Sequence, residues 1–202
     1  MFTEQQFSPR PFGKITKATH DEHLKLYAGY VKNANSIIEK TPEYLQWSEK
    51  DPFVTYFTGE LRRRLSFEYN GMRNHEVYFA LLSGEATPLP ADSTLAQQLT
   101  AQWGSLDAFT AAFVGCAAST RGIGWTMLSW DATAKTLLLH WIDEQHLGQL
   151  QGTTPLIALD LWEHSYVADY QPSGKKQYIQ DFLTAVNWSQ AQANFEAVTN
   201  KI

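Results

Sequence analysis

One cysteine, Cys116, is present in 202 residues. An internal disulfide is therefore impossible, and so is a zinc site built on several thiolates. Charge is sparse as well. Only 18% of the residues are charged, and 16 Lys and Arg against 21 Asp and Glu leave a formal net charge of −5. With no basic stripe interleaved with aromatics, neither nucleic acid nor an anionic membrane surface is expected as a partner. No apolar run reaches the roughly 18 residues that a membrane span requires. The opening Met1-Phe2-Thr3-Glu4-Gln5-Gln6-Phe7 lacks the basic stretch and apolar run of a secretory signal. A reducing compartment, most simply the cytoplasm, fits these features best.

What the chain does have is 44% hydrophobic residues, enough at this length for a substantial core. Residues 1–18 read as an irregular arm broken by Pro9, Pro11 and Gly13. Thr19-His20-Asp21-Glu22 matches a capping box, and His23, Tyr27, Tyr30, Val31, Ala34 and Ile38 then recur at helical spacing. Thr41-Pro42 predicts the end of that helix, since the residue before proline avoids the α region. After a loop containing Asp51-Pro52 and Thr58-Gly59, a second helix is expected over 61–82. Its inward face reads Leu61, Leu65, Tyr69, Met72, His75, Phe79 and Leu82, and Gly84 suits its close. The two would pack as an antiparallel hairpin.

Thr87-Pro88-Leu89-Pro90 is the best domain boundary, giving a helical-hairpin domain over 1–88 and a second domain over 89–202. Helices are expected over 93–102 and 106–119. The period then changes to strands over 125–130 and 136–142, joined at 131–135, with a short apolar strand over 155–159. Helices over 178–186 and 190–198 close the chain. The class is α+β, with an all-helical first half and a mixed second half containing a small antiparallel sheet.

Six histidines carry the chemistry: His20, His23, His75, His140, His146 and His164. A lone histidine on a helix is most often a satisfied core residue. His23 and His75 differ because each lies in an apolar stripe, where an imidazole needs a partner and a metal is one way to supply it. Asp160 ends the apolar run Pro155-Leu156-Ile157-Ala158-Leu159, and His164 follows at the spacing that places two side chains on one helical face. Together these residues form a sulfur-free N/O donor set that suits iron, manganese or zinc. The plain alternative is an Asp160–His164 salt bridge beside a buried tryptophan.

Asp160-Leu161-Trp162-Glu163-His164-Ser165-Tyr166 resembles the D-x-W-E-H-A-Y signature of the iron/manganese superoxide dismutases. Asn74-His75 with Tyr78, Gly122-Ile123-Gly124-Trp125 and Val186-Asn187-Trp188 resemble other family segments in the family order, and the similarity spans about His20 to Phe195. The resemblance implies a helical hairpin followed by an α/β domain with a three-stranded antiparallel sheet. It implies a superoxide dismutase with one manganese or iron ion per subunit, held by His75, Asp160, His164 and a first-helix histidine. That last ligand is His23, one residue late against the family motif unless a π-type bulge is lost; His20 is the fallback. Tyr30, Trp125, Trp162 and Gln145 would surround metal-bound solvent. The family's glutamine comes either from the helix, where this chain has Gly71, or from the sheet, where Gln145 falls with His146 beside it; Gln145 points to manganese. The resemblance further implies a homodimer or tetramer with Glu163 bonded to His164 of the other subunit. The family's further histidine pair in the first helix is replaced by Leu26 and Tyr27, and the tyrosine that one of them meets across the dimer by Val167; Lys175 stands for an arginine near the mouth. Two other readings use the same residues: a non-haem iron oxygenase, which needs only two histidines and a carboxylate, and an altered, non-catalytic metal-binding scaffold.

Overall fold

The computed structural model describes residues 1–47 and 51–200. Two long helices come first, α1 (Lys17–Leu45) and α2 (Pro52–Leu82), packed as an antiparallel hairpin. Then follow α3 (Thr94–Trp103), α4 (Leu106–Ser119), strands β1 (Trp125–Asp131), β2 (Thr136–Ile142) and β3 (Thr153–Asp160), and helices α5 (Glu163–Tyr170), α6 (Lys175–Ala185) and α7 (Trp188–Thr199). The α+β class and the three-stranded antiparallel sheet expected from the sequence are both present.

The hairpin helices are longer than their sequence signals indicated. α1 is capped by Thr16, whose hydroxyl accepts from the Thr19 N–H at 3.3 Å. The proposed capping box at Thr19 does not form, because the Thr19 hydroxyl donates instead to Asp169 at 2.6 Å. Pro42 lies inside α1 rather than ending it. It is within the final turn, where a missing N–H removes one bond, and Tyr44 packs on Phe57 of α2 at 5.1 Å between ring centroids. Asp51-Pro52, expected in a loop, starts α2: Asp51 accepts from the Phe53 N–H at 2.9 Å and Pro52 holds the first helical position. Thr58 and Gly59 are helical as well. The connector's residues 48–50 lie outside the described residues. Gly84, with φ +76, follows α2 as expected.

The sheet order is β2-β1-β3, and β1 is buried along almost its whole length. Its register is decisive for the site. Trp125 pairs with Ile142 on one side and with Asp160 on the other, so the start of β1, the end of β2 and the end of β3 meet at one edge. α2 packs across β3 and brings its own buried face to that edge. One continuous apolar cluster joins the two halves of the chain, running from Tyr27, Met72 and Phe79 to Trp125, Ile157 and Phe182.

The arm of residues 1–16 is a strap. Phe2 exchanges two bonds with the Asn35 amide, the Gln5 N–H donates to the Tyr27 hydroxyl, and the Arg10 N–H donates to the Leu82 carbonyl. Further on, the Arg10 guanidinium reaches the Ala185 carbonyl and the Lys14 N–H donates to the Tyr170 hydroxyl. The arm thus fastens α1 and α2 to α5 and α6. Gly13 makes the tight passage possible: its φ is +51, and a Cβ there would collide with Tyr170 Oη and the Asp181 carboxylate. Gly13→Ala should therefore lower stability by about 1–3 kcal/mol, measured as a shift in the urea unfolding midpoint at unchanged slope.

Candidate metal centre

Four elements deliver one side chain each. His23 comes from α1, His75 from α2, Asp160 from the end of β3 and His164 from the first turn of α5. The Nε2 atoms of His23, His164 and His75 lie 3.1, 3.3 and 3.6 Å from the same oxygen, Asp160 Oδ2. All four donor atoms fall within 4.8 Å of one another. Donors gathered this closely from four separate elements are near enough to share one ion after small side-chain adjustments.

The donors fit a cation. His75 Nδ1 lies 2.6 Å from the Gly71 carbonyl, which fixes that nitrogen as the donor and leaves Nε2 with a bare lone pair. That Nε2 is fully buried with no hydrogen-bond partner among the described residues. A lone pair aimed at a carboxylate oxygen is repulsive unless a positive ion lies between them. Burial pushes the His75 pKa down to about 3, with the neighbouring His23 adding to the effect. Burial also lowers that of His23, against the pull of Asp160. For Asp160, burial works against ionisation, but the charge and hydrogen bonds of His164 and His23 prevail and hold the carboxyl well below the usual range. Lowered imidazole pKa values at His23 and His75 and an ionised Asp160 carboxylate favour the protonation states that metal ligation needs.

Asp160 and His164 do not share a helical face. Asp160 ends a strand, Leu161 and Trp162 turn the chain, and His164 enters from the new helix. The turn is fixed locally: the Trp162 N–H donates to Asp160 Oδ1 at 2.8 Å, while the Ser165 and Tyr178 hydroxyls donate to the Asp160 carbonyl.

His23, not His20, belongs to the cluster. α1 is an uninterrupted α-helix from Lys17, so His23 and Tyr30, seven residues apart, fall on one face two turns apart. His20 lies one turn earlier, its Nε2 2.9 Å from the Arg10 carbonyl and its ring beside Phe12.

Around the four donors runs a chain of hydrogen bonds. Trp125 Nε1 donates to Gln145 Oε1 at 2.9 Å, and Gln145 Nε2 donates to the Tyr30 hydroxyl at 2.9 Å. Gln145 is fully buried, and its carbonyl accepts from Asn74 on α2 at 3.0 Å. His146 points elsewhere, beside Phe67 and 3.9 Å from Glu144. Gly71 explains why the amide arrives from the sheet side. A Cβ at that position would lie 2.6 Å from the Tyr30 ring, so α2 has no room there for a glutamine. Trp162 stacks near His164 at 5.7 Å and donates to the Glu144 carbonyl. Burial, with Asp160 and Glu68 adding to it, raises the Tyr30 pKa, so its phenol stays protonated. Lys175 donates to the Thr120 carbonyl at 2.7 Å, closing the end of α4. Glu163 is exposed at the start of α5; Leu26 on α1 is exposed and Val167 on α5 is half-buried.

Two residues at this site escaped the sequence reading. Arg64 and the buried Glu68 lie two turns and one turn before Gly71, on the same face of α2 as His75. Continuing the helical spacing backward from His75 would have found them.

A helical hairpin, a small antiparallel sheet and a three-histidine, one-aspartate cluster define a mononuclear metal protein. A family model described as "Iron/manganese superoxide dismutases, C-terminal domain" matches residues 91–194. The Mycobacterium leprae (strain TN) protein named "Superoxide dismutase [Mn]" is 31% identical over 193 residues, covering 96% of this chain and 88% of that protein. The protein of the same name from Mycolicibacterium smegmatis (strain ATCC 700084 / mc(2)155) is also 31% identical with the same coverage, and that from Nocardia asteroides is 28% identical. The chain belongs to the iron/manganese superoxide dismutase family.

His20 supplies a pH prediction separate from the metal donors. Burial lowers its pKa from 6.5 to about 4, so the unfolded chain takes up a proton that the folded chain resists. Folding stability contributed by His20 is present above pH 6.5 and is lost as pH falls toward 4. In urea unfolding of metal-free protein, His20→Gln should lose less stability than the parent over that interval.

Proposed function

We propose that this chain is a superoxide dismutase, catalysing 2 O2•− + 2 H+ → O2 + H2O2 at one manganese ion held by His23, His75, Asp160 and His164. The convergence of three imidazole Nε2 atoms on Asp160 Oδ2 carries this reading. Bound there, the metal would supply the electron relay, a hard carboxylate favouring its +3 state and neutral imidazoles keeping +2 accessible. The chain's own residues do the rest. Asp160 brings one negative charge, and its Oδ1 is anchored by the Trp162 N–H, so Oδ2 is left free for ligation. Gln145 is held between the Trp125 indole and the Tyr30 phenol, which orients its amide and leaves the phenolic proton free to be donated into the site. Trp125 and Trp162 exclude water around these groups.

Manganese is favoured over iron by the sheet-derived Gln145 and by the relatives' names, all of which specify manganese. A symmetric pairing of Glu163 with His164 of a second subunit would make the enzyme a homodimer or part of a tetramer. The exposure of Glu163 and the partial exposure of His164 suit that arrangement. Among the described residues no helix is long and apolar enough to cross a membrane, consistent with the proposed cytoplasmic setting. The oxygenase alternative uses two histidines and one carboxylate; the third imidazole in the cluster favours the dismutase.

Purified protein should contain close to one manganese per chain. Chelation should abolish superoxide removal, and manganese should restore it; full activity in the metal-free sample would refute the proposal. His23→Ala should lose bound metal while His20→Ala retains it, and the reverse would move the first-helix ligand to His20.

A further inference from the structure

The donors of the metal cluster are not equally enclosed. His23, His75 and Asp160 are sealed, whereas the His164 side chain is 22% exposed and Tyr30 and Trp162 are half-buried. The cluster therefore opens toward His164, Tyr30 and Trp162. Phe67 fills the space beside that opening, with ring centroids 6.1 Å from Tyr30 and 6.3 Å from Trp162. Arg64 lies over Phe67, its guanidinium carbon 3.7 Å from the ring centroid, and its Nε donates to Glu68 Oε1 at 2.9 Å.

The two members of this ion pair differ in depth. The Arg64 side chain is 45% exposed and that of Glu68 5%, and Glu68 also accepts from Asn33 at 3.3 Å. The pair is thus a dipole with its positive end outward. Both charges reach Tyr30: Glu68, after burial and Asp160, raises its pKa, while Arg64 opposes them. An anion approaching the opening meets a chain of net charge −5 and two buried carboxylates, Asp160 and Glu68. Two other cations, like Arg64, have partners of their own. Arg63 is bound to Glu60 at 2.6 Å, and Lys175 to the Thr120 carbonyl.

We propose that Arg64 and Glu68 form an electrostatic gate for anions entering the metal site, Arg64 attracting them and Glu68 setting the opposing field. This rests on the dismutase reading for the identity of the anion, superoxide, but not for the gate itself. The test uses the full-length metal-loaded protein and azide, an anion whose binding is followed by the absorption of the metal centre. At low salt, Arg64→Gln should weaken azide binding by about threefold or more, and Glu68→Gln should strengthen it. Arg64→Lys should stay near the parent. The differences should collapse at about 1 M salt, where the screening length is roughly 3 Å. Superoxide removal at low salt should follow the same order. A merely structural pair would move both Gln variants in one direction, so equal signs, or no change in either, would overturn the gate. Glu68→Gln keeps the side chain's shape and one acceptor oxygen for Arg64 while removing the charge, so it tests the gate even where Arg64→Gln folds poorly. Azide binding that follows the predicted order in a protein inactive toward superoxide would sink the dismutase reading and leave the gate standing.

Discussion

A fully buried, ionised Asp160 is the constraint around which the protein is organised. An uncompensated carboxylate in such a place would cost several kcal/mol. Every part of the residue is instead engaged. The Trp162 N–H donates to Oδ1, the three imidazoles face Oδ2, and the Tyr178 and Ser165 hydroxyls donate to the backbone carbonyl. These partners come from α1, α2, α5, α6 and the turn after β3. The meeting of the hairpin and the sheet-bearing half is therefore specified by one charge as well as by apolar packing.

The surroundings of that charge form a graded sequence from dry to wet. Trp125, Gln145 and Tyr30 connect by hydrogen bonds from the sheet to α1, and the Gly71 backbone allows the Tyr30 ring to lie flat against α2. Beyond Tyr30 come Phe67 and then Arg64, which stands at the surface above Glu68. Such a gradient separates two tasks. The inner groups fix the donors and exclude water, while the outer ones shape the field an anion crosses.

The N-terminal strap supports the same geometry from outside. Its carbonyl at Arg10 meets His20 one turn before His23, and its backbone ties α1 and α2 to α5 and α6. Because the ligands sit on separate elements, holding those elements in register is what keeps the four donor atoms together. Gly13 is the point where this strap passes closest to its supports.

Much of this was legible in one dimension. Helical spacing placed His23 and His75 in buried stripes, the change of period located the strands, and the Asp160–His164 segment with its neighbours carried a family resemblance. The misses share a cause. Pro42, Asp51-Pro52 and Gly59 looked like breaks because local rules count backbone preferences, whereas Tyr44–Phe57 packing and the Asp51 cap carry the helices through. Asp160 and His164 looked like neighbours on one helix, but a strand end and a turn separate them. What the sequence determined by itself was three of the four donors, His75, Asp160 and His164, and the helical hairpin and strands around them, since residue type and periodicity are local properties. Tertiary structure decided which histidine of the first helix completes the set, why Gln145 rather than His146 faces inward, and that Arg64 lies over Phe67 beside the opening. Each of those depends on distances between segments far apart in the chain, which only the packed fold brings together.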